Sequence, residues 1–174
     1  ARINSDRWPD VVTANEDSCD VSVLFGHSDG SWASERRVPV GSGRCPVAIA
    51  VTPPMGRRAI DVVTANTSFH DVAVLRGRGD GTFAPAQFLA VGARPVAVVM
   101  ADLNGDGTPD IVTANATSHD VTVLLGSGAD TFAPARHLPL GTGRRPRAVA
   151  VADVNQDGVA DLVTANEGSD NVTV

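Results

Sequence analysis

Two nine-residue stretches carry the clearest chemistry. Asp102-Leu103-Asn104-Gly105-Asp106-Gly107-Thr108-Pro109-Asp110 and Asp153-Val154-Asn155-Gln156-Asp157-Gly158-Val159-Ala160-Asp161 each place side-chain oxygens at positions 1, 3, 5 and 9, with glycine at position 6. Calcium, a hard cation, takes roughly six to eight oxygens at about 2.3 to 2.6 Å, and this spacing can wrap them around one ion. The backbone carbonyls of Thr108 and Val159 add a donor from position 7. Three carboxylates so close together repel one another unless a cation sits between them. The expected ligands are Asp102, Asn104, Asp106, Thr108 and Asp110 in one loop, and Asp153, Asn155, Asp157, Val159 and Asp161 in the other. The alternative is an Asx-rich turn that holds no metal.

Two further stretches align with these loops but have lost donors. The first runs Arg2, Asn4, Asp6, Asp10 and lacks the opening acid, leaving Asn4, Asp6 and Asp10 as an incomplete third set. The second runs Pro53, Met55, Arg57, Asp61, which removes three ligands, and there Arg57 or Arg58 is expected to replace the cation's charge. The loops are not EF-hands, because an EF-hand needs Glu at position 12, where Thr113 and Thr164 stand, and a β-branched segment follows in place of a helix.

The elements that position these loops recur along the chain. The hexad Asp-Val-Val-Thr-Ala-Asn, or a near copy, starts at Asp10, Asp61, Asp110 and Asp161, with spacings of 51, 49 and 51 in a chain of 174 residues. A repeat of this length indicates a solenoid, propeller or array. Period three shows four apolar segments: Val96 to Ala101, Asp110 to Ala114, Val121 to Leu125 and Phe132 to Leu140. Short runs of Val, Ile and Thr bounded by Gly, Asp, Asn and Pro read as strands, and four per period make one propeller blade. The first segment alternates small and medium residues, as in Ala148-Val149-Ala150-Val151-Ala152, which suits the crowded inner end of a blade. The predicted fold is all-β: a β-propeller of four-stranded antiparallel blades, with about 3.5 to 4 blades present in one repeat domain over 1–174. Their bounds are near 1–46, 47–95, 96–146 and 147–174, the first and last incomplete. With strand 1 running down, the acidic loops and the Gly-rich strand 3 to 4 loops share the bottom face, and the strand 2 to 3 turns and the crossovers share the top.

Composition excludes other classes. The 14 basic residues are all Arg, and the 20 acids are 17 Asp and 3 Glu, which disfavours helical repeats, whose solvated faces are filled with Glu and Lys. Net charge is −6, pI is near 5.0 and the Arg residues are scattered, so no nucleic-acid partner is expected. No apolar run reaches the roughly 20 residues of a membrane helix, and Ala1 opens directly on a repeat with no signal-like segment. The expectation is a soluble chain, processed or excised, with no membrane insertion.

The sequence resembles the FG-GAP or VCBS repeat family, the propeller repeat also found in integrin alpha chains. The matching residues are Ala101-Asp102-Leu103-Asn104-Gly105-Asp106-Gly107, the strand Asp110-Ile111-Val112-Thr113-Ala114-Asn115, and the loop Gly77-Arg78-Gly79-Asp80-Gly81-Thr82-Phe83-Ala84-Pro85. The resemblance implies calcium in the strand 1 to 2 loop, a secreted or cell-surface setting and usually seven blades.

Other residues follow from the phasing of the strands. Cys19 falls in the strand 2 to 3 turn of period one and Cys45 in the following crossover, both on the top face, so a disulfide is expected, with two free thiols as the alternative. Asn66, Asn115 and Asn171 begin glycosylation sequons at turns expected to be exposed. Asn15 and Asn166 occupy the same position without a sequon, so Asn also suits it through its tolerance of left-handed geometry. Arg78-Gly79-Asp80 spells an adhesion tripeptide inside a loop that Gly26 to Trp32 and Gly126 to Phe132 repeat without it, as expected of a structural turn. His70-Asp71 and His119-Asp120 have the composition of acid-base pairs, yet Cys19-Asp20 and Asp170-Asn171 fill the same slots, so the position orients a turn. No nucleophile elbow, phosphate loop or zinc cluster occurs. The expected function is a non-catalytic calcium-binding scaffold for adhesion or assembly, as a subunit of a surface assembly, homo-oligomer or filament. Its partners are expected to be other copies or a cell-surface protein or glycan. A lectin is the alternative and a propeller-based enzyme the third class.

Overall fold

A computed structural model describes residues 1–4, 6–52, 59–128 and 130–174. Among the described residues, fourteen strands form four antiparallel meanders and there is no helix. The first sheet contains β1 (Val11–Asn15), β2 (Asp20–Leu24) and β3 (Arg36–Pro39). The second contains β4 (Ala48–Val51), β5 (Val62–Asn66), β6 (Asp71–Leu75) and β7 (Gln87–Ala90). The third contains β8 (Pro95–Ala101), β9 (Asp110–Asn115), β10 (Asp120–Leu124) and β11 (Arg136–Pro139). The fourth contains β12 (Pro146–Ala152), β13 (Asp161–Asn166) and β14 (Asn171–Thr173). Each sheet follows one period, and consecutive strands pair in order, as propeller-like blades do. The inner strands β4, β8 and β12 lie beside one another.

The fourth segment departs from expectation. Phe132 makes only an isolated bridge to Gly126, and the regular strand starts at Arg136. Pro134 stands between them; it has no N–H to give the ladder, so the segment breaks into a bridge and a short strand. Pro85 does the same in the second sheet, between Phe83 and Gln87.

Packing explains why the hexad is apolar on both faces. In β5 and β6, Val63, Ala65, Val72 and Val74 pack toward the third sheet with Val98, Met100, Ile111 and Leu124. The alternate residues Val62, Ala73 and Leu75 pack toward the first sheet with Val21, Val23, Val40 and Ile3. Successive side chains on a strand point to opposite faces, so a blade held between two others must be apolar on both. A third cluster joins Val112, Ala114, Val121 and Val123 to Val149, Val151 and Leu162 of the fourth sheet.

The top of each blade is closed by a repeated polar cluster. The last Asn of the hexad donates from Nδ2 to the residue that opens the next strand: Asn15 to Asp20 at 2.8 Å, Asn66 to Asp71 at 2.8 Å, Asn115 to Asp120 at 2.9 Å and Asn166 to Asn171 at 3.1 Å. In the first three blades the hexad Thr donates its hydroxyl to the same Asn: Thr13 at 3.2 Å, Thr64 at 3.1 Å and Thr113 at 3.0 Å. These groups are largely dry, with Asn66 and Asn115 at 0% exposure, so each donor and acceptor left without a partner would cost about 1 to 3 kcal/mol.

The turns between these strands also fasten each blade to the next. Cys19, His70, His119 and Asp170 occupy equivalent places and all adopt left-handed backbone, with φ of 57°, 56°, 56° and 49°. His70 Nδ1 accepts the backbone N–H of Arg94 at 3.0 Å, and His119 Nδ1 accepts that of Arg145 at 3.2 Å. Arg94 and Arg145 each precede the proline that opens the following inner strand, and Cys45 precedes Pro46, two residues before β4. Cys19 and Cys45 are joined by a disulfide across 26 residues. A covalent bond thus fills, between the first two blades, the slot that a histidine hydrogen bond fills twice later in the chain.

Replacing both Cys19 and Cys45 by serine is expected to lower the unfolding free energy by roughly 3 to 4 kcal/mol, from the chain entropy of the closed loop, as read by urea denaturation. In the opposite direction, His119→Cys with Arg145→Cys is expected to close a second disulfide, visible as a mobility difference with and without reductant. An uncrosslinked double variant under oxidising conditions would show that the slots are not equivalent.

Candidate metal centre

Both intact loops fold into the same internally hydrogen-bonded ring at the bottom of their blades. In loop three, Asp102 Oδ1 accepts the N–H of Gly105 at 2.8 Å and of Asp106 at 3.2 Å, and Oδ2 accepts that of Gly107 at 2.9 Å. Asn104 Oδ1 accepts from Asp106 N–H at 3.1 Å, and its amide donates to Asp106 Oδ2 at 2.9 Å. Asp106 Oδ1 accepts Thr108 N–H at 2.7 Å. Loop four repeats the wiring: Asp153 accepts from Asp157 and Gly158, Asn155 pairs with Asp157, and Asp157 accepts Val159 N–H at 2.8 Å. Position 6 needs glycine because Gly107 and Gly158 have φ of 78° and 86°, which side-chain-bearing residues adopt at a cost.

The ninth residue links this ring to the rest of the blade. Asp110 opens β9 and is fully buried. Its Oδ2 accepts Leu103 N–H at 2.8 Å, and its Oδ1 accepts Gly126 N–H, from the strand 3 to 4 loop, at 2.7 Å. Gly126 must be glycine, since a Cβ there would lie 2.7 Å from the Pro109 carbonyl oxygen. Asp161 Oδ2 accepts Val154 N–H at 2.9 Å.

Electrostatics separates the acids. Burial raises the pKa of Asp110, the N–H bonds from Leu103 and Gly126 oppose this, and the like charges of Asp106 and Asp102 raise it further. Asp106 is held below the ordinary carboxylate range, first by the Asn104 side-chain hydrogen bond and then by Thr108 N–H. Among the described residues the acids are not drawn into a ready-made cluster of three or more metal ligands; each carboxylate is turned onto backbone N–H groups. The donor set nonetheless fits a hard cation. A carboxylate has about four lone-pair sites, Asp102 uses three and Asp110 two, and Asp106 and Asn104 keep capacity as well. The residues that could hold calcium are therefore Asp102, Asn104, Asp106, Asp110 and the carbonyl of Thr108, and their counterparts in loop four.

The incomplete loops fare differently. In period one, Asn4 and Asp6 pair at 2.8 Å, Trp8 N–H donates to Asp6 at 2.7 Å, and Asp10 accepts from Ile3 and Gly26, so the ring persists with Arg2 in place of the first acid. In period two, Pro53, Met55, Arg57 and Arg58 lie outside the described residues. The charge that meets Asp61 is that of Arg76, whose Nη1 lies 2.7 Å from Oδ2. Sequence reasoning missed Arg76. The signal was present, since Arg76 stands where Phe25 and Leu125 stand in the otherwise similar runs Asp20 to Gly26 and Asp120 to Gly126.

The remaining candidates are used structurally. Asn66 and Asn115 are corrected as glycosylation sites: each ends a strand with its amide turned into the dry cluster under the turn, where a glycan on Nδ2 would displace Asp71 or Asp120. Asn171 is exposed, and its Oδ1 accepts from Asn166, Ser169 and Arg144. In the tripeptide, Arg78 donates to the Phe83 carbonyl at 2.8 Å, and Asp80 accepts Thr82 N–H and hydroxyl, as Asp29 does from Ser31.

Comparison with known proteins bears on the fold and the repeat. No curated protein matches the chain. Among solved structures, BBS1N from a complex with ARL6DN aligns over 99% of this chain and 53% of its own, with a TM-score of 0.64 at 15% identity. A protein from Lactobacillus plantarum aligns over 95% of this chain and 48% of its own, with a TM-score of 0.63 at 12% identity. A functionally unknown protein from Desulfotomaculum acetoxidans gives a TM-score of 0.57 at 16% identity, over 93% of this chain and 53% of that one. The chain thus spans about half the length of these structures, and the likeness concerns the fold. The sequence model of the FG-GAP-like repeat matches residues 56–113 and 102–164, which together span more than half of the chain. With its repeated acidic ring, hexad strand and Gly-rich loop, the chain belongs to the FG-GAP-like repeat family.

Proposed function

We propose that this chain is a calcium-rigidified, non-catalytic propeller module of a secreted or cell-surface protein, presenting its blades for adhesion or assembly with protein or glycan partners. The observation that carries the reading is the pair of acidic rings at 102–110 and 153–161, which repeat the same side-chain oxygen donors at positions 1, 3, 5 and 9 and much of the same hydrogen bonding. An ion there would neutralise the repulsion felt by Asp110 and lock the strand 1 to 2 loop. The side chains with the composition of an acid-base pair serve this scaffold: His70 and His119 each accept a backbone N–H that fastens the next blade. Support for a lectin is weaker, since the half-exposed rings of Phe69 and Phe88 both hold the Arg44 guanidinium, at 4.4 and 3.8 Å from their centroids.

Thermal melting with and without a chelator tests the metal directly. Calcium at about 100 times its Kd would add about 2.7 kcal/mol per site. In a chain of this size that raises the midpoint by roughly 5 to 10 °C for one site, and the rise is expected to shrink in Asp102→Asn with Asp106→Asn. An unchanged midpoint would overturn the reading.

A second outcome concerns pH. Because burial raises the folded pKa of Asp110, the folded state holds this proton more tightly than the unfolded chain does. In chelator, the contribution of Asp110 is least unfavourable below the unfolded carboxylate pKa. It worsens as pH rises through the window up to the raised folded value, then levels off. Urea titrations should show wild type losing stability relative to Asp110→Asn across that window, with the loss suppressed by calcium. Parallel curves would mean that the buried carboxylate has no such penalty.

A further inference from the structure

In three periods the position-9 aspartate receives the N–H of the residue at position 2: Ile3 to Asp10 at 2.6 Å, Leu103 to Asp110 at 2.8 Å and Val154 to Asp161 at 2.9 Å. In period two that residue is Pro54, which has no N–H to give. Asp61 is nevertheless buried, and its Oδ1 still accepts Gly77 N–H at 2.9 Å as its equivalents do. Its Oδ2 is served by Arg76 Nη1 at 2.7 Å.

The guanidinium is placed by more than this ion pair. The Arg76 side chain is only 19% exposed, so the charge is largely withdrawn from water and requires its partner. Nη2 donates to the backbone carbonyl of Asp130, in the Gly-rich loop of the third blade, at 3.0 Å. Nη1 lies 3.8 Å from the Asp130 carboxylate, and the guanidinium carbon lies 5.2 Å from the Phe132 ring centroid. Arg76 therefore lines the cleft between blades two and three, beside Thr108 and Pro109 of the neighbouring acidic loop.

We infer that Arg76 is a built-in cation for period two: its guanidinium neutralises Asp61 and pins the bottom of blade two to blade three. Period two is thereby freed from the exchangeable ion proposed for periods three and four. Calling Arg76 a replacement for a metal rests on the calcium reading; its role at Asp61 and Asp130 does not. Three changes coincide in this one period: the loop acids are lost, the position-2 N–H is lost, and an apolar slot becomes arginine. A planar guanidinium restores both missing features, charge and donor, from a different strand end.

The test is a double-mutant cycle on the whole chain, using Arg76→Leu (the residue of the period-three slot), Asp61→Asn and their combination, melted in chelator and again in calcium. Arg76→Leu is expected to lower the midpoint by several degrees in both conditions. The loss is expected to be clearly smaller in the Asp61→Asn background, because no buried charge is then left alone. Equal losses in the two backgrounds would make Arg76 a packing residue and overturn the inference. A loss that appears only in chelator would also overturn it, since calcium would then be able to replace the arginine. Should Arg76→Leu fail to fold, Arg76→Gln, which keeps a donor but removes the charge, takes its place in the same cycle, and equal losses in the two Asp61 backgrounds count against the inference equally. If wild type ignores chelator while the Arg76–Asp61 coupling persists, the calcium reading fails and the role of Arg76 stands.

Discussion

The aspartate at the start of the second strand of each blade, buried in the first three, is the interaction on which the bottom of the molecule depends. In Asp10, Asp61 and Asp110 one carboxylate oxygen holds the strand 3 to 4 loop through a glycine N–H, from Gly26, Gly77 and Gly126. The other oxygen holds the strand 1 to 2 loop or its substitute. Two loops far apart in sequence are thus joined at one carboxyl group. A buried charge is tolerated only when its lone pairs are filled and some opposite charge or dipole is near. Much of the variation among the four periods is a variation in how that condition is met.

The top of the molecule solves a different problem with neutral groups. In the first three blades the Thr-Asn-Asp cluster pairs polar groups beneath the turn, and the last turn residue adopts left-handed backbone. That residue then faces the crossover of the next blade, where histidine accepts an N–H or cysteine forms a disulfide. Blades contact their neighbours mainly through apolar side chains rich in Val, and a directional bond at the rim joins each of the first three turns to the following crossover. The first pair of blades, in which the acidic ring at the bottom is incomplete in both, carries the covalent version at the top.

Most of the architecture was legible in the sequence because the repeat displays it four times. One run of Val and Thr is ambiguous, whereas the same run at a constant spacing, bounded by the same turn residues, is not. The acidic loops, their glycine at position 6 and the pairing of Cys19 with Cys45 were visible for the same reason. Errors arose where a residue's position along the chain was known but its direction was not. Asn66 and Asn115 sit beside an exposed turn, yet their side chains point inward, and the break at Pro134 divides what composition suggested was one strand.

By itself the sequence determined the period, the four antiparallel strands, the side of each loop and the donor types of the acidic rings, since these follow from local spacing and from chemistry carried within a few residues. Only the tertiary structure decided which group neutralises each buried acid. Asp110 is met by the N–H groups of Leu103 and Gly126 beside the like charges of Asp106 and Asp102, but Asp61 meets an arginine fifteen residues downstream that also reaches across to Asp130 of the next blade. Electrostatic partners are chosen by distance in space and by exclusion of water, and neither quantity is a property of position along the chain.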